Sequence, residues 1–284
     1  MKKICLLTFD VEEWFQVENL KGAIKRSDWD KKSSSVQKNS FKILGLLEKY
    51  QIPATFFVLG WIAKNIPAVI KEIFAQGHEI ACHGYSHDLA NQLPSQKIYD
   101  DISDSKQILE NAISNKVLGY RAPSFSINDQ ILTILKEIGF LYDSSFNPFK
   151  LNSRHGQIHG LGKKIASGCY LTDSGIYELP LSTLYFYKIV IPLGGGAYFR
   201  IYPLWLFKPL VKYKLSRDPV YNFYLHPWEF EPEQEHIKNI KLNYKFRHYY
   251  GLKNTENKFE KFILFLKNIN CEFLTMEQYL NRII

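Results

Sequence analysis

The chain has 284 residues, is 46% hydrophobic and 15% aromatic, and carries a net charge of +8 with a pI near 9.1. That length suffices for one large core, as in α/β barrels of similar size, and no stretch approaches the roughly 20 apolar residues of a membrane span. The basic balance is compatible with nucleic acid, an anionic membrane or an anionic polymer, but the lysines are scattered as on a solvated surface.

In chain order, Ile4 to Thr8 reads as a short apolar strand ending in a cluster of acids, Asp10, Glu12 and Glu13. A helix over Ser40 to Tyr50 is separated by Pro53 from a strand over Ala54 to Leu59. Next come a helix over Ile66 to Gln76, closed by Gly77 in the left-handed position, and a strand over His78 to Cys82. A long amphipathic helix follows over Ser95 to Ala112, then a strand over Val117 to Tyr120 and a helix over Asp129 to Ile138. Strands alternating with helices point to a parallel sheet wrapped by helices. The region around 147–200 is glycine-rich and is expected to cover one side of the barrel with extended segments and loops. Beyond it, Pro203 to Leu215 and Asn254 to Lys267 read as helices, and Val220 to Leu225 as a strand. No linker interrupts the pattern, so residues 1–284 are read as a single domain.

Cys5, Cys82, Cys169 and Cys271 show no CxxC spacing and mostly sit in apolar segments, as buried free thiols do. The acids at 10, 12 and 13 cut the first apolar run too short for a signal peptide, so the expectation is a cytoplasmic chain.

The chemistry-bearing residues gather at predicted strand ends, where α/β barrels build their sites. His83 and His87 frame Gly84 and Ser86, which favour a loop presenting two imidazoles over a helix face. Two histidines with a carboxylate make a ligand set for a divalent transition metal with a position open to water. By alternation, Asp10 and Glu12 project to one side of an extended chain and Val11 and Glu13 to the other; one acid of the first pair would bind metal and the other act as base. Arg121, before Ala122-Pro123, suits orienting a carboxylate through paired hydrogen bonds. His226 suits a general acid, since imidazole titrates near neutral pH.

Together these motifs resemble the polysaccharide deacetylase family, the NodB-homology carbohydrate esterases. The likeness is strongest to a subgroup whose first motif reads Asp-Val-Glu-(Asp/Glu)-Trp-Phe, here Asp10 to Phe15. It extends through Gly119-Tyr-Arg-Ala-Pro-Ser-Phe-Ser126, Tyr142-Asp-Ser-Ser145, Glu178-Leu-Pro-Leu-Ser-Thr183, Gly194-Gly-Gly-Ala-Tyr-Phe-Arg200 and Leu225-His-Pro-Trp-Glu-Phe230.

The resemblance implies a distorted (β/α) barrel and metal-dependent removal of N-acetyl or O-acetyl groups from a cell-surface glycan, an exopolysaccharide or a precursor. The metal would be zinc, with cobalt, nickel or manganese as alternatives. In the family's usual first motif two adjacent aspartates serve as base and ligand. Here the second position is Val11, so Glu12 is taken as the ligand with His83 and His87, and Glu13 as its substitute. Asp10 then matches the base, Arg121 the arginine that orients it, and His226 the acid. Glu178 and Asp173 are candidates for the carboxylate that tunes His226, while Asp143 and Trp228 are candidates to line the sugar site.

An N-acetylated glycan is thus the expected partner, with no nucleic acid, and with a peripheral contact to anionic membrane as a use for the positive charge. Two rivals remain: an amidohydrolase of the same fold acting on a small cyclic amide such as allantoin, and an inactive glycan-binding module.

Overall fold

The computed structural model describes residues 2–149, 155–187 and 189–284. Its first strand, β1 (Lys3–Val11), sets the architecture through its alternation. Cys5, Leu7, Phe9 and Val11 pack outward into the core beneath the helices, whereas Ile4 and Leu6 join an inner cluster with Phe57, Ala81 and Tyr142. Thr8 and Asp10 continue that inner row by the two-residue period of a strand.

The alternation continues through α1 (Val36–Tyr50), β2 (Thr55–Val58), α2 (Gly60–Asn65), α3 (Pro67–Ala75), β3 (Glu79–Cys82), α4 (Ser95–Ile113), β4 (Gly119–Tyr120), α5 (Asp129–Ile138) and β5 (Tyr142–Asp143). Among the described residues here, α2 is the helix that the sequence pattern does not announce. Ile66, preceding Pro67, leaves helical geometry at φ −135° and ψ 57°, which separates α2 from α3. Gly60 opens α2 where a Cβ would meet the Tyr85 ring at 2.7 Å, so the close packing of this turn requires glycine.

The remaining elements are β6 (Lys163–Ala166), β7 (Cys169–Leu171), β8 (Tyr177–Glu178), β9 (Thr183–Phe186), β10 (Ile189–Pro192), α6 (Gly196–Ile201), α7 (Leu204–Arg217), β11 (Val220–Leu225), α8 (Leu242–Tyr249), α9 (Thr255–Asn268), β12 (Cys271–Leu274) and α10 (Met276–Ile283). The glycine-rich region around 147–200 therefore contains organised strands; its residues 150–154 and 188 lie outside the described residues.

One sheet runs in the order β11-β1-β2-β3-β4-β5-β8-β7-β6. It is parallel from β11 to β8 and antiparallel through β7 and β6. β1 is shared along one edge: Lys3 to Leu6 pair with β12 and Thr8 to Val11 with β2. No ladder joins β11 to β6 among the described residues, so the sheet is a curled, incomplete barrel. Isolated backbone bonds, from Ser182 to the Asn222 carbonyl and from Tyr224 to the Gly194 carbonyl, and side chains bridge the gap instead. Asn222 of β11 donates to the carbonyls of Leu179 at 2.9 Å and Pro180 at 3.1 Å, and to Ser144 Oγ at 3.1 Å.

All four cysteines are buried and free. No helix among the described residues is long and apolar enough to cross a membrane.

Candidate active site at the strand ends

Asp10 lies within β1, next to its last residue, rather than past the strand as the sequence pattern predicts. Its Oδ1 accepts a 2.7 Å hydrogen bond from Arg121 Nη1, which also donates to Thr8 Oγ1 at 2.8 Å. The other guanidinium nitrogens are committed to Ser144, Nε to its carbonyl and Nη2 to its hydroxyl, both at 2.9 Å. Arg121 is fully buried with its guanidinium 4.0 Å from the Phe57 ring centroid. Four hydrogen bonds from one planar fork fix both the position of the cation and the carboxylate it faces.

His83 follows β3 directly, and its Nδ1 donates to the Arg121 carbonyl at 2.8 Å, which turns Nε2 toward Glu12. The chain then curls through Gly84 at φ 71° to bring His87, itself at φ 57°, back to the same acid. A positive φ at a histidine is a sparsely populated state that a functional loop can hold. His87 Nε2 lies 2.7 Å and His83 Nε2 4.0 Å from Glu12 Oε2. Ligand atoms from Glu12, His83 and His87 all fall within 4.8 Å of one another, and all three residues are buried.

These donors fit a divalent cation. Glu12 Oε2 faces the Nε2 atoms of both His83 and His87 in a buried site, an oxygen-and-imidazole donor set of the kind that divalent transition metals take. Burial pushes the His83 imidazole down to about 4, keeping it in the neutral form that ligates metals. Burial opposes charge on Glu12 as well, but His87, His226 and His83 outweigh it and hold its carboxyl at about 2.

Val11 and Glu13 take the opposite side of the chain. Val11 is wholly within the outer core, and Glu13 accepts hydrogen bonds from the Ser34 hydroxyl and from the amides of Ser35 and Val36 at the start of α1. Glu13 thus serves the helix terminus and points away from the histidines.

His226 follows β11 and sits against both acids, its Nε2 3.5 Å from Glu12 Oε1 and 3.9 Å from Asp10 Oδ2. Its Nδ1 donates to Glu229 Oε1 at 2.7 Å, and the same oxygen accepts from the His226 amide at 3.1 Å. Burial works against protonation, yet Glu12, Glu229 and Asp10 lift the imidazole to about 9.

Glu229 is in turn bound by buried Arg200 Nε, whose remaining nitrogens donate to the carbonyls of Arg247, His248 and Tyr250. Sequence reasoning passed over both residues. The signal was present in the capping-box spacing of His226 to Glu229, with Pro227 at the first helical position between them.

Glu178 and Asp173 do not reach His226. Glu178 accepts from the Phe146 amide and is hydrogen-bonded to buried Asp143, and Asp143 also binds Ser145. Burial raises both carboxyls, so one proton shared by the pair is favoured and neither group lines the cleft. Asp173 is held in a turn by the Gly160 carbonyl. Trp228 does line the cleft, packed between His226 and His248 while its Nε1 donates to Glu12 Oε1 at 3.1 Å.

The cleft also presents Ser124, Phe125, Tyr224 and Arg247. Along the loop after Arg121, the Arg121 and Ala122 amides are bonded to the Cys82 carbonyl and the Ser145 hydroxyl, and Pro123 has no amide proton. Ser124, at φ 52°, carries the first uncommitted amide of this loop.

Fold and cleft define an incomplete α/β barrel with a buried glutamate and two histidines converging at its strand ends. Residues 2–142 match the polysaccharide deacetylase family, and residues 144–281 match a domain of unknown function, DUF3473. A peptidoglycan-N-acetylglucosamine deacetylase from Bacillus cereus is 33% identical over 99 residues, covering 35% of this chain and 46% of that protein. The chain therefore aligns with less than half the length of this curated relative.

Among solved structures, a Mycobacterium smegmatis protein provisionally assigned as a polysaccharide deacetylase superposes with a TM-score of 0.62 at 20% identity, covering 100% of this chain and 91% of that one. A CE4 family pseudoenzyme from Bacillus anthracis superposes at 0.53 with 17% identity, covering 98% and 66%. The segment 2–142 belongs to the polysaccharide deacetylase family. The cleft draws Asp10, Glu12, His83, His87 and Arg121 from the first matched segment and Arg200, His226 and Glu229 from the second.

Proposed function

We propose that this chain is a metal-dependent hydrolase that removes N-acetyl or O-acetyl groups from a cell-surface or extracellular glycan or its precursor. The carrying observation is that Asp10 and His226, each backed by a buried partner of opposite charge character, flank one Glu12-His83-His87 ligand set. A divalent cation bound there would polarise the acetyl carbonyl and lower the pKa of water. Asp10, aimed by Arg121, takes a proton from the attacking water. The Ser124 amide faces the developing oxyanion, and His226 Nε2 returns a proton to the departing sugar nitrogen or oxygen. Glu229 fixes the tautomer in which Nε2 faces the cleft.

The test is acetate release from N-acetylglucosamine oligomers and from peptidoglycan, with and without added zinc or cobalt. The CE4 pseudoenzyme likeness supports one competing reading, an inactive glycan-binding module. Glycan binding with no acetate release under any metal would decide for that module.

A further inference from the structure

A second surface lies apart from the catalytic machinery. Of the large apolar side chains standing in solvent, Tyr185, Phe186, Tyr187 and Ile189 occupy the β9–β10 hairpin, and Trp205, Leu206 and Tyr213 the outer face of α7. Tyr187 is 93% and Trp205 76% exposed. The two elements are neighbours: Leu184 and Tyr185 share an apolar cavity of about 540 Å³ with Tyr213 and Arg217. α7 already buries Phe207, Val211 and Leu215 against the core, so its exposed aromatic side is a surplus that a water-facing helix does not need.

The charge around this surface is predominantly positive, with Asp218 at the end of α7 sharing the cavity and paired there with Lys214 and Lys164. Residues 179–217 contain no aspartate or glutamate. Lys208, Lys212 and Arg217 of α7 form no ion pair among the described residues. Tryptophan, tyrosine and lysine side by side make up an interfacial surface: the rings enter the headgroup layer while the cations meet lipid phosphates. A second copy of the chain fits worse, because a self-complementary contact through this face would oppose cation to cation.

We propose that the β9–β10 hairpin and the outer face of α7 dock this protein on an anionic lipid bilayer. Arg200 lines the cleft and Trp205 is five residues further along the chain, so the two backbones are within about 18 Å of each other. Docking therefore brings the cleft close to the bilayer surface, where a glycan carried on lipid is presented.

The experiment is co-sedimentation of the full chain with vesicles of phosphatidylcholine alone or mixed with phosphatidylglycerol, scored without catalysis and so independent of the deacetylase reading. The wild type is expected to pellet with the anionic vesicles and to bind neutral ones at least about tenfold more weakly. F186S/Y187S/W205S removes the rings and K212E/R217E reverses the charge, and each is expected to lose about tenfold or more of the binding. Circular dichroism melting checks that both variants fold, as exposed positions allow. No pelleting of the wild type, or pelleting of folded variants at its level, overturns the proposal. So does a lipid-free dimer abolished by the triple substitution, which would assign the face to a second copy.

Discussion

Glu229 accepts hydrogen bonds from both the ring and the amide of His226, so a single buried carboxylate orients the imidazole at two points. Arg200 clamps the other oxygen of the same carboxylate. The chain His226-Glu229-Arg200 mirrors the pair Asp10-Arg121 across the cleft, and both sides depend on a buried arginine.

Removing the Glu229 charge should cost stability as well as turnover. E229Q leaves Arg200 buried without its counter-charge, a loss expected at about 3–5 kcal/mol. Urea unfolding of E229Q against the wild type measures it. E229Q should also lower kcat more than it raises KM, since the tautomer of His226 matters after binding; unchanged kcat in folded protein would remove Glu229 from the mechanism.

D10N and H226A should each lower the kcat for acetate release by about 100-fold or more, the usual worth of a placed acid or base. Neither residue belongs to the ligand cluster, so elemental analysis should find the metal content of D10N close to that of the wild type.

Glu12 and Glu13 are separable. E12A should lose bound cobalt or zinc and all activity. E13A should keep the metal and lose about 1 kcal/mol from the start of α1, where its carboxylate accepts backbone amides. Metal loss in E13A but not in E12A would reverse the assignment of the ligand.

The valine of the first motif cannot be converted to the usual second aspartate. Val11 faces the outer core, so V11D buries a carboxylate among apolar side chains and is expected to destabilise the fold by about 3 kcal/mol or more without adding a ligand. Thermal melting and metal analysis of V11D check both parts.

Acid should weaken the fold through His78. Burial holds this imidazole down to about 4, against 6.5 when free. Between those values the unfolded chain binds the proton and the folded one does not, so stability falls as pH drops from about 6.5 to about 4 and is unaffected above that window. H78L should flatten that fall by roughly 2 kcal/mol, read from urea midpoints at pH 7 and pH 4.5.

Much of this was legible in the chain itself. A period of two along β1 separates Asp10 from Val11, and Gly84 in the His83 to His87 spacing favours a loop over a helix there, because both are local consequences of backbone geometry. The strand-helix rhythm likewise places Arg121 and His226 at strand ends. Only the folded structure decided which carboxylate serves His226. Glu178 sits in a strand of the same sheet but is spent on Asp143, whereas Glu229 is selected by a turn of 3-10 helix and by Arg200, 29 residues earlier in the chain. Local periodicity determines which side of an element a residue takes; which buried charge it meets is set by how distant elements pack, since each buried ion must find a partner somewhere in the same core.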